Sequence, residues 1–512
     1  MSDSDNKLLI AGGRVIREDG DVHHPAVADI LVEGGRIARI EPGLAAGAAG
    51  DVGAENSIDA GDKLVVPGFV NSHYHSHDVL LKGCFETIPL ETWVLNALPP
   101  SYPKRSAEEV RARTLLGAAE CLHSGMTTVQ DMLTIFPFSE EHLDTVMQAY
   151  ADVGIRVVFA MQIGDVPGLD RVPFWRELIP EEYLKYMTAA VEPFGGDGPL
   201  AVAAAQYKRL ADVNSRINWA LGPTSPEFCS PELLEGLADF SAAHDLPVVT
   251  HIYESKSMTL AGRMFFPEFD GSQVKYLEKV GLLGPRLGLA HSIWMLPEEI
   301  ELLADTGTNV MLNPVGNLKT RSGIAPIRRY LDAGVSIGIG CDNCSCSDAQ
   351  NMFQAMKMFT GLAAVSDPEP GPPSAADTFR IATLGGARAL GLGRDIGSLE
   401  PGKKADMSIL DLDNPNFVPL NSAVRQLVFT EAGQSVETVI VDGRVVMRDR
   451  RLRTIDEGEL RDAIEVVMPG LLKDLAEVSD RVETLSPYLL EAWRRSMGTD
   501  IGTNRYIGNA DG

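Results

Sequence analysis

Leu64-Val65-Val66-Pro67-Gly68-Phe69-Val70-Asn71-Ser72-His73-Tyr74-His75 is the stretch on which the reading of this chain turns. The apolar run has the make-up of a buried strand, and two histidines stand at its polar end. Side chains on a strand alternate faces with a period of two, so His73 and His75 point the same way and can grip one ion. An H-x-H pair alone is equally well two solvated imidazoles, so the remainder of the chain has to decide.

Counted from Val65, seven further apolar runs read as strands: 126–129, 156–161, 217–221, 247–250, 287–290, 308–312 and 336–339. Helix signals separate them. Ser106-Ala107-Glu108-Glu109 is a capping box for a helix to about His123 that Gly125 ends, and Ser230-Pro231 supplies a cap and an N1 proline for a helix to His244. Strands alternating with helices give an α/β fold, and eight such units predict a TIM (β/α)8 barrel. A doubly wound open sheet would want G-x-G-x-x-G opening its first helix, and none lies there.

Short strands with turns fill residues 7–66, with a Gly/Ala-rich loop at 43–54, and the same vocabulary returns in Ala405–Leu410 and Thr438–Val446. The two ends are expected to share one sheet. The expected organisation is therefore a small composite β domain from 1–66 and 400–450, a barrel over 67–399, and a helical extension over 451–512 that covers the barrel or a partner subunit. A length of 512 residues accommodates this.

Hydrophobic residues make up 45% and charged residues 23%, an ordinary globular balance. A formal charge of -26 argues against nucleic acid or an anionic membrane as partner, because both need Lys and Arg to neutralise phosphate. Met1–Lys7 has no basic segment leading into an apolar one, and no apolar stretch reaches the ~18 residues that span a bilayer. The six cysteines are too few and too scattered for a secreted disulfide framework. A cytoplasmic protein acting on a small molecule is the expectation.

At the strand ends stand His73 and His75, then His251-Ile252-Tyr253-Glu254, His291 and Asp342. Barrel enzymes keep their chemistry at this end, and four of ten histidines landing there outweighs chance. Three neutral imidazoles and a carboxylate leave a coordination position open for water, whose pKa a divalent ion lowers to about 7. Glu254, three residues beyond His251, can take a proton from that water and deliver it to a leaving nitrogen.

These motifs resemble the amidohydrolase superfamily, in particular the branch of triazine hydrolases and methylthioadenosine/S-adenosylhomocysteine deaminases. The likeness runs from Val66–His75 through Gly125–Asp131, His251–Glu254, Ala290–Ser292, Asn313–Lys319 and Gly340–Asp342 to Ala382–Gly391 and Ile396–Asp406. It implies a distorted barrel and one divalent ion on His73, His75, His251 and Asp342, zinc first, iron or cobalt next, in a homodimer or homotetramer. It gives Glu254 the proton shuttle, His291 the polarising of the attacked group, and Asp342 a share in taking the water's proton. Members with two metals carry a modified lysine on the fourth strand, and Ile217–Thr224 contains none.

Departures from the family touch the substrate. The ribose-binding glutamate expected after Trp93 is missing from Asn96–Tyr102, and Thr224 stands where a histidine is expected. A substrate smaller or less polar than a nucleoside follows, with Trp93, Thr224, Tyr253 and His77 as candidate contacts and Phe85 and Trp294 as further aromatic walls. His77 reads alternatively as solvated or as support for the ligands, and Cys341, Cys344 and Cys346 read as small buried packing residues rather than a soft-metal site. Hydrolytic deamination of a nitrogen heterocycle leads; cleavage of an acyclic amide, urea or carbamate, or loss of another group from a triazine-like ring, follows. A non-catalytic barrel would lack ligands, and none is lacking. No H-x-E with P-C-x-x-C and no H-E-x-x-H occurs.

Overall fold

The apolar run around Pro67 forms two strands in two different sheets. The structure, a computed structural model, describes residues 7–507 apart from 49–51, 54–55, 188–192, 195–197 and 368. The extreme amino terminus, part of the Gly/Ala-rich loop and residues 508–512 of the extension lie outside the described residues. Lys63–Pro67 pairs antiparallel with Met407–Asp411 and parallel with Lys7–Val15, whereas Phe69–His75 begins the barrel. Gly68 is the joint. Its N–H donates to the Asp406 carbonyl at 3.1 Å, and a Cβ there would fall 2.1 Å from Thr127 Oγ1, so only glycine passes between the sheets.

The barrel strands are β1 (Phe69–His75), β2 (Met126–Leu133), β3 (Arg156–Ile163), β4 (Ile217–Pro223), β5 (Val248–Ile252), β6 (Leu287–His291), β7 (Asn309–Leu312) and β8 (Ile337–Ile339). They lie side by side in chain order, all parallel. Every residue of β1, β2 and β6 is buried, as a sheet covered on both faces requires. Closure is irregular: β8 forms no ladder with β1, and the short strand Asp342–Asn343 pairs instead with Tyr74 and His75. That is the distortion, and it carries Asp342 to the histidines. The ladder between β5 and β6 reaches Ile252 and His291, so His251 and His291 lie within their strands rather than after them.

Helices cover the barrel as expected at both capped sites. The Glu109 N–H donates to Ser106 Oγ at the start of Ala107–His123, and the Leu233 N–H to Ser230 Oγ at the start of Pro231–His244, both at 3.2 Å. Part of the Gly/Ala-rich segment is a short helix, Leu44–Ala48, whose Ala45 N–H donates to Asp29 Oδ2. Strands from both ends of the chain do share one sheet, ordered from Arg451–Leu452 through Met407–Asp411 and Lys63–Pro67 to Arg36–Glu41.

Arg156, the first residue of β3, ties the two sheets. It is 1% exposed and forks on to Asp406 at 2.8 and 3.0 Å. Asp406→Asn leaves that guanidinium charged and buried with its bidentate partner neutralised and only Asp442 Oδ1 in reach at 3.4 Å, at an expected cost of about 3 kcal/mol. A lower urea midpoint at unchanged ion content checks this.

The C-terminal helix Glu457–Gly498 runs 42 residues across the barrel mouth. Leu471, Val478, Val482 and Leu489 pack on Leu90, Trp93 and Trp175, while Arg105 pairs with Asp474 at 2.5 Å. The extension thus covers the barrel itself. Among the described residues no helix is long and apolar enough to cross a membrane.

Candidate metal centre

Period-two alternation along β1 sends both imidazoles inward and Tyr74 outward, and the two Nε2 atoms stand 3.1 Å apart. His251, from β5, brings its Nε2 to 3.3 Å from that of His75. Asp342 Oδ1 lies 3.8 Å from His73 Nε2 and 3.7 Å from His75 Nε2. The opposite ring nitrogens are held: Nδ1–H of His75 donates to the Met132 carbonyl and that of His251 to the Thr224 carbonyl, each at 2.5 Å, while His73 Nδ1 faces Gln130 Oε1 at 3.4 Å. With the protons on Nδ1, the Nε2 atoms present lone pairs to one another.

Burial keeps these rings neutral. It drives the protonation of His73 and His75 far below the ordinary imidazole value and that of His251 down to about 4, the neighbouring imidazoles adding to the effect. With the Nε2 atoms of His73 and His251 at 3.1 and 3.3 Å from that of His75, the lone pairs repel unless a cation lies among them, so these residues fit a divalent ion. Their number and type suit an ion that takes nitrogen and oxygen ligands and leaves room for water. The backbone contributes strain: Asp342 (φ 62°) and His291 (φ 69°) are both left-handed.

Glu254 and His291 form the second half of the site. Glu254 Oε2 is 3.4 Å from His291 Nε2, and His291 Nδ1–H donates to Asn317 Oδ1 at 2.8 Å. Burial, then the charges of Asp342, Glu91 and Glu227, push the Glu254 carboxyl well above the usual range. That environment favours its protonated form, which suits a group that gives and takes a proton. His291, lowered to about 4 by burial, is a neutral partner.

These groups face a cavity of about 120 Å³. Its opposite wall is the helix Leu90–Ala97, with Leu90, Trp93 and Val94 turned inward and Leu98 just beyond, and Phe228 and Met258 complete the apolar part. Thr224 lines it, its Oγ1 accepting from Gln162 Nε2 at 2.6 Å. Trp93 lines it too, with Nε1–H donating to Ser345 Oγ.

Other candidate contacts lie elsewhere. Tyr253 does not line the cavity: its backbone is left-handed (φ 49°), which breaks the alternation of β5 and turns the ring into the core, where its hydroxyl donates to Glu299 Oε1. His77 is buried rather than solvated. β1 ends at His75, and the tight turn Ser76–Leu81 aims His77 Nε2 at Asn343 Nδ2, 3.2 Å away and outside the cavity lining. Phe85 packs under the C-terminal helix, and Trp294 is buried with Nε1–H on the Ser322 carbonyl.

Cys341, Cys344 and Cys346 are buried free thiols, and Cys346 does more than pack: its Sγ–H donates to Asp342 Oδ2 at 3.3 Å. Sequence reasoning missed the wall residues Leu90, Val94, Leu98, Phe228 and Met258. The spacing of 90, 93, 94, 97 and 98 was the available signal, one face of a helix.

A family model described as "Amidohydrolase family" matches residues 64–446. The chain is 32% identical over 468 residues to a 5'-deoxyadenosine deaminase of Methanothermobacter thermautotrophicus, covering 91% of this chain and 99% of that one. It is 30% identical to a 5-methylthioadenosine/S-adenosylhomocysteine deaminase of Syntrophobacter fumaroxidans, covering 91% and 99%. Among solved structures, the atrazine chlorohydrolase of Arthrobacter aurescens complexed with zinc superposes with a TM-score of 0.78 at 25% identity, over 90% of this chain and 100% of that one.

Proposed function

The chain belongs to the amidohydrolase family, metal-dependent hydrolases of carbon–nitrogen bonds other than peptide bonds, and on that premise we propose that it removes an amino group from a nitrogen heterocycle smaller than a nucleoside. One ion, zinc by the analogy of its zinc-bound relative, would be held by His73, His75, His251 and Asp342. When bound, the ion supplies an acidified water near neutral pH. The protein residues do the rest. Glu254 accepts a proton at Oε2 and returns it to the leaving nitrogen, His291 Nε2 shares that proton across 3.4 Å, and Asp342 Oδ1 lies on the same wall as a further acceptor. Trp93, Leu90 and Phe228 hold a flat ring against them and exclude water.

What carries the reading is the convergence of three proton-free nitrogens, one carboxylate oxygen and a second buried carboxyl on one wall of a largely apolar cavity. The names of the relatives favour a ring amine over an acyclic one. The compartment we assign is the cytoplasm, which suits six free thiols.

Ammonia release decides the matter. Zinc-loaded protein incubated with aminopurines, aminopyrimidines, aminotriazines, pterins and arylureas is expected to release ammonia from at least one amino-substituted ring. Release of an aryl amine from the ureas with no ammonia from any ring would replace this reading with acyclic hydrolysis. Halide release from a chlorotriazine alone would replace it with displacement of another leaving group.

A further inference from the structure

The segment Cys344-Ser345-Cys346 follows the ligand Asp342 closely and reaches the opposite wall of the cavity. Ser345, wholly buried, stands between two partners: its Oγ accepts from Trp93 Nε1–H at 2.9 Å, and its O–H donates to Asp78 Oδ2 at 2.5 Å. Asp78, 1% exposed, also accepts the Ser345 N–H at 3.0 Å and, on Oδ1, the Cys344 N–H at 3.2 Å. Neither bond of the hydroxyl can run the other way. An indole nitrogen only donates, and the Asp78 carboxyl, raised by burial to about 6 against the pull of the Ser345 donors, is ionised at neutral pH and only accepts.

Two further bonds hold the start of the wall helix rather than the ring. The Leu90 N–H donates to the Thr320 carbonyl at 3.1 Å, and Glu91 Oε1 accepts from Ser255 Oγ at 2.6 Å. An indole carries one polar atom, so Ser345 is the directional contact that sets the rotation of Trp93 about its side-chain bonds. Ser345 in turn sits on the turn that carries Asp342. Lys319 Nζ donates to the Ser345 carbonyl at 3.1 Å, and Cys346 Sγ–H to Asp342 Oδ2 at 3.3 Å.

We propose that Ser345, held by Asp78, is a positioning residue that yokes the substrate wall to the loop bearing the ion's carboxylate ligand: the turn that places Asp342 also places the Trp93 ring. With its N–H committed to Ser345, Trp93 offers the substrate only carbon surface, and what packs against it is the face of a flat ring. The inference deepens the aminohydrolase reading and rests on it for the ring; the link between the ligand loop and the wall stands without it.

Isotope labelling of the tryptophan nitrogens gives one indole N–H signal for each of the five tryptophans, and Trp93→Phe identifies its own by loss. In the zinc-loaded full chain the Trp93 indole proton is expected to exchange with solvent at least tenfold faster in Ser345→Ala than in the parent, with the other indoles unchanged. Zinc added to the chelated parent is expected to shift the Trp93 signal, and that shift should fall by at least half in Ser345→Ala. Asp78→Asn keeps the hydroxyl but weakens the group that orients it, so it should move both readings the same way and serves if Ser345→Ala fails to fold. With a ring found by the turnover screen, Ser345→Ala should raise KM about tenfold in the parent and no further in a Trp93→Phe background, whereas a serine that merely packs would act equally in both. A zinc-induced shift undiminished in both variants, or equal KM effects in the two backgrounds, would overturn the yoke. The expected indole behaviour without ammonia from any ring would refute the deamination alone.

Discussion

Glu254→Gln is expected to keep its full complement of zinc and to lose about a thousandfold of turnover, within the range that general acid–base groups contribute. The carboxyl lies 3.4 Å from His291 Nε2, and the three Nε2 atoms and Asp342 stay in place when it becomes an amide, so the ion should be retained. What the amide cannot do is pick up a proton and release it. Because the loss falls on a step after binding, kcat should drop with little change in KM. The variant also removes an ionisable group from beside Asp342, Glu91 and Glu227, so the protein should be no less stable than its parent. Elemental analysis beside steady-state kinetics separates the alternatives. A variant with normal turnover would remove Glu254 from proton transfer, and one that has lost its zinc would recast it as a ligand.

The legible parts of this site are those where chemistry and local geometry coincide. His73 and His75 could be paired from sequence because alternation on a strand is a local rule, and His251, His291 and Asp342 could be added because parallel barrels place all their strand ends on one face. The rule fails where a strand ends. Tyr253 would continue inward from His251, but its left-handed backbone reverses it on to Glu299. His77 would continue from His75, but the chain has already entered a turn. The division at Gly68 was hidden for a different reason: strands in two successive sheets are equally apolar, and nothing in the composition of Val65–Val70 marks where one sheet hands over to the next. The cavity wall was less legible still. Leu90, Trp93 and Val94 are held by a helix nearly four hundred residues further along the chain, so their orientation is a tertiary fact.

His251→Ala is expected to abolish zinc retention and to lower turnover by at least ten-thousandfold, the largest single effect foreseen, because the chemistry has no acidified water without the ion. His251 is the better test than His73. It is part-exposed on the cavity wall, so truncation opens into existing space, whereas His73 is wholly buried and its loss would leave a void in the core. The Thr224 carbonyl, which loses the ring Nδ1–H, still accepts the backbone N–H of residue 251 at 3.2 Å. Removing the ion from the unaltered protein with a chelator should reproduce the loss of activity reversibly. It should also lower thermal stability, since an ion present at a hundred times its dissociation constant stabilises the folded chain by about 2.7 kcal/mol. The two proteins should then converge. Without metal, the parent carries three lone pairs facing each other while the variant carries two, so most of the stability difference seen with zinc should vanish. Melting curves of both, with and without chelator, measure this directly. A parent that melts at the same temperature in both conditions, at full activity, would show that His73, His75, His251 and Asp342 hold no ion.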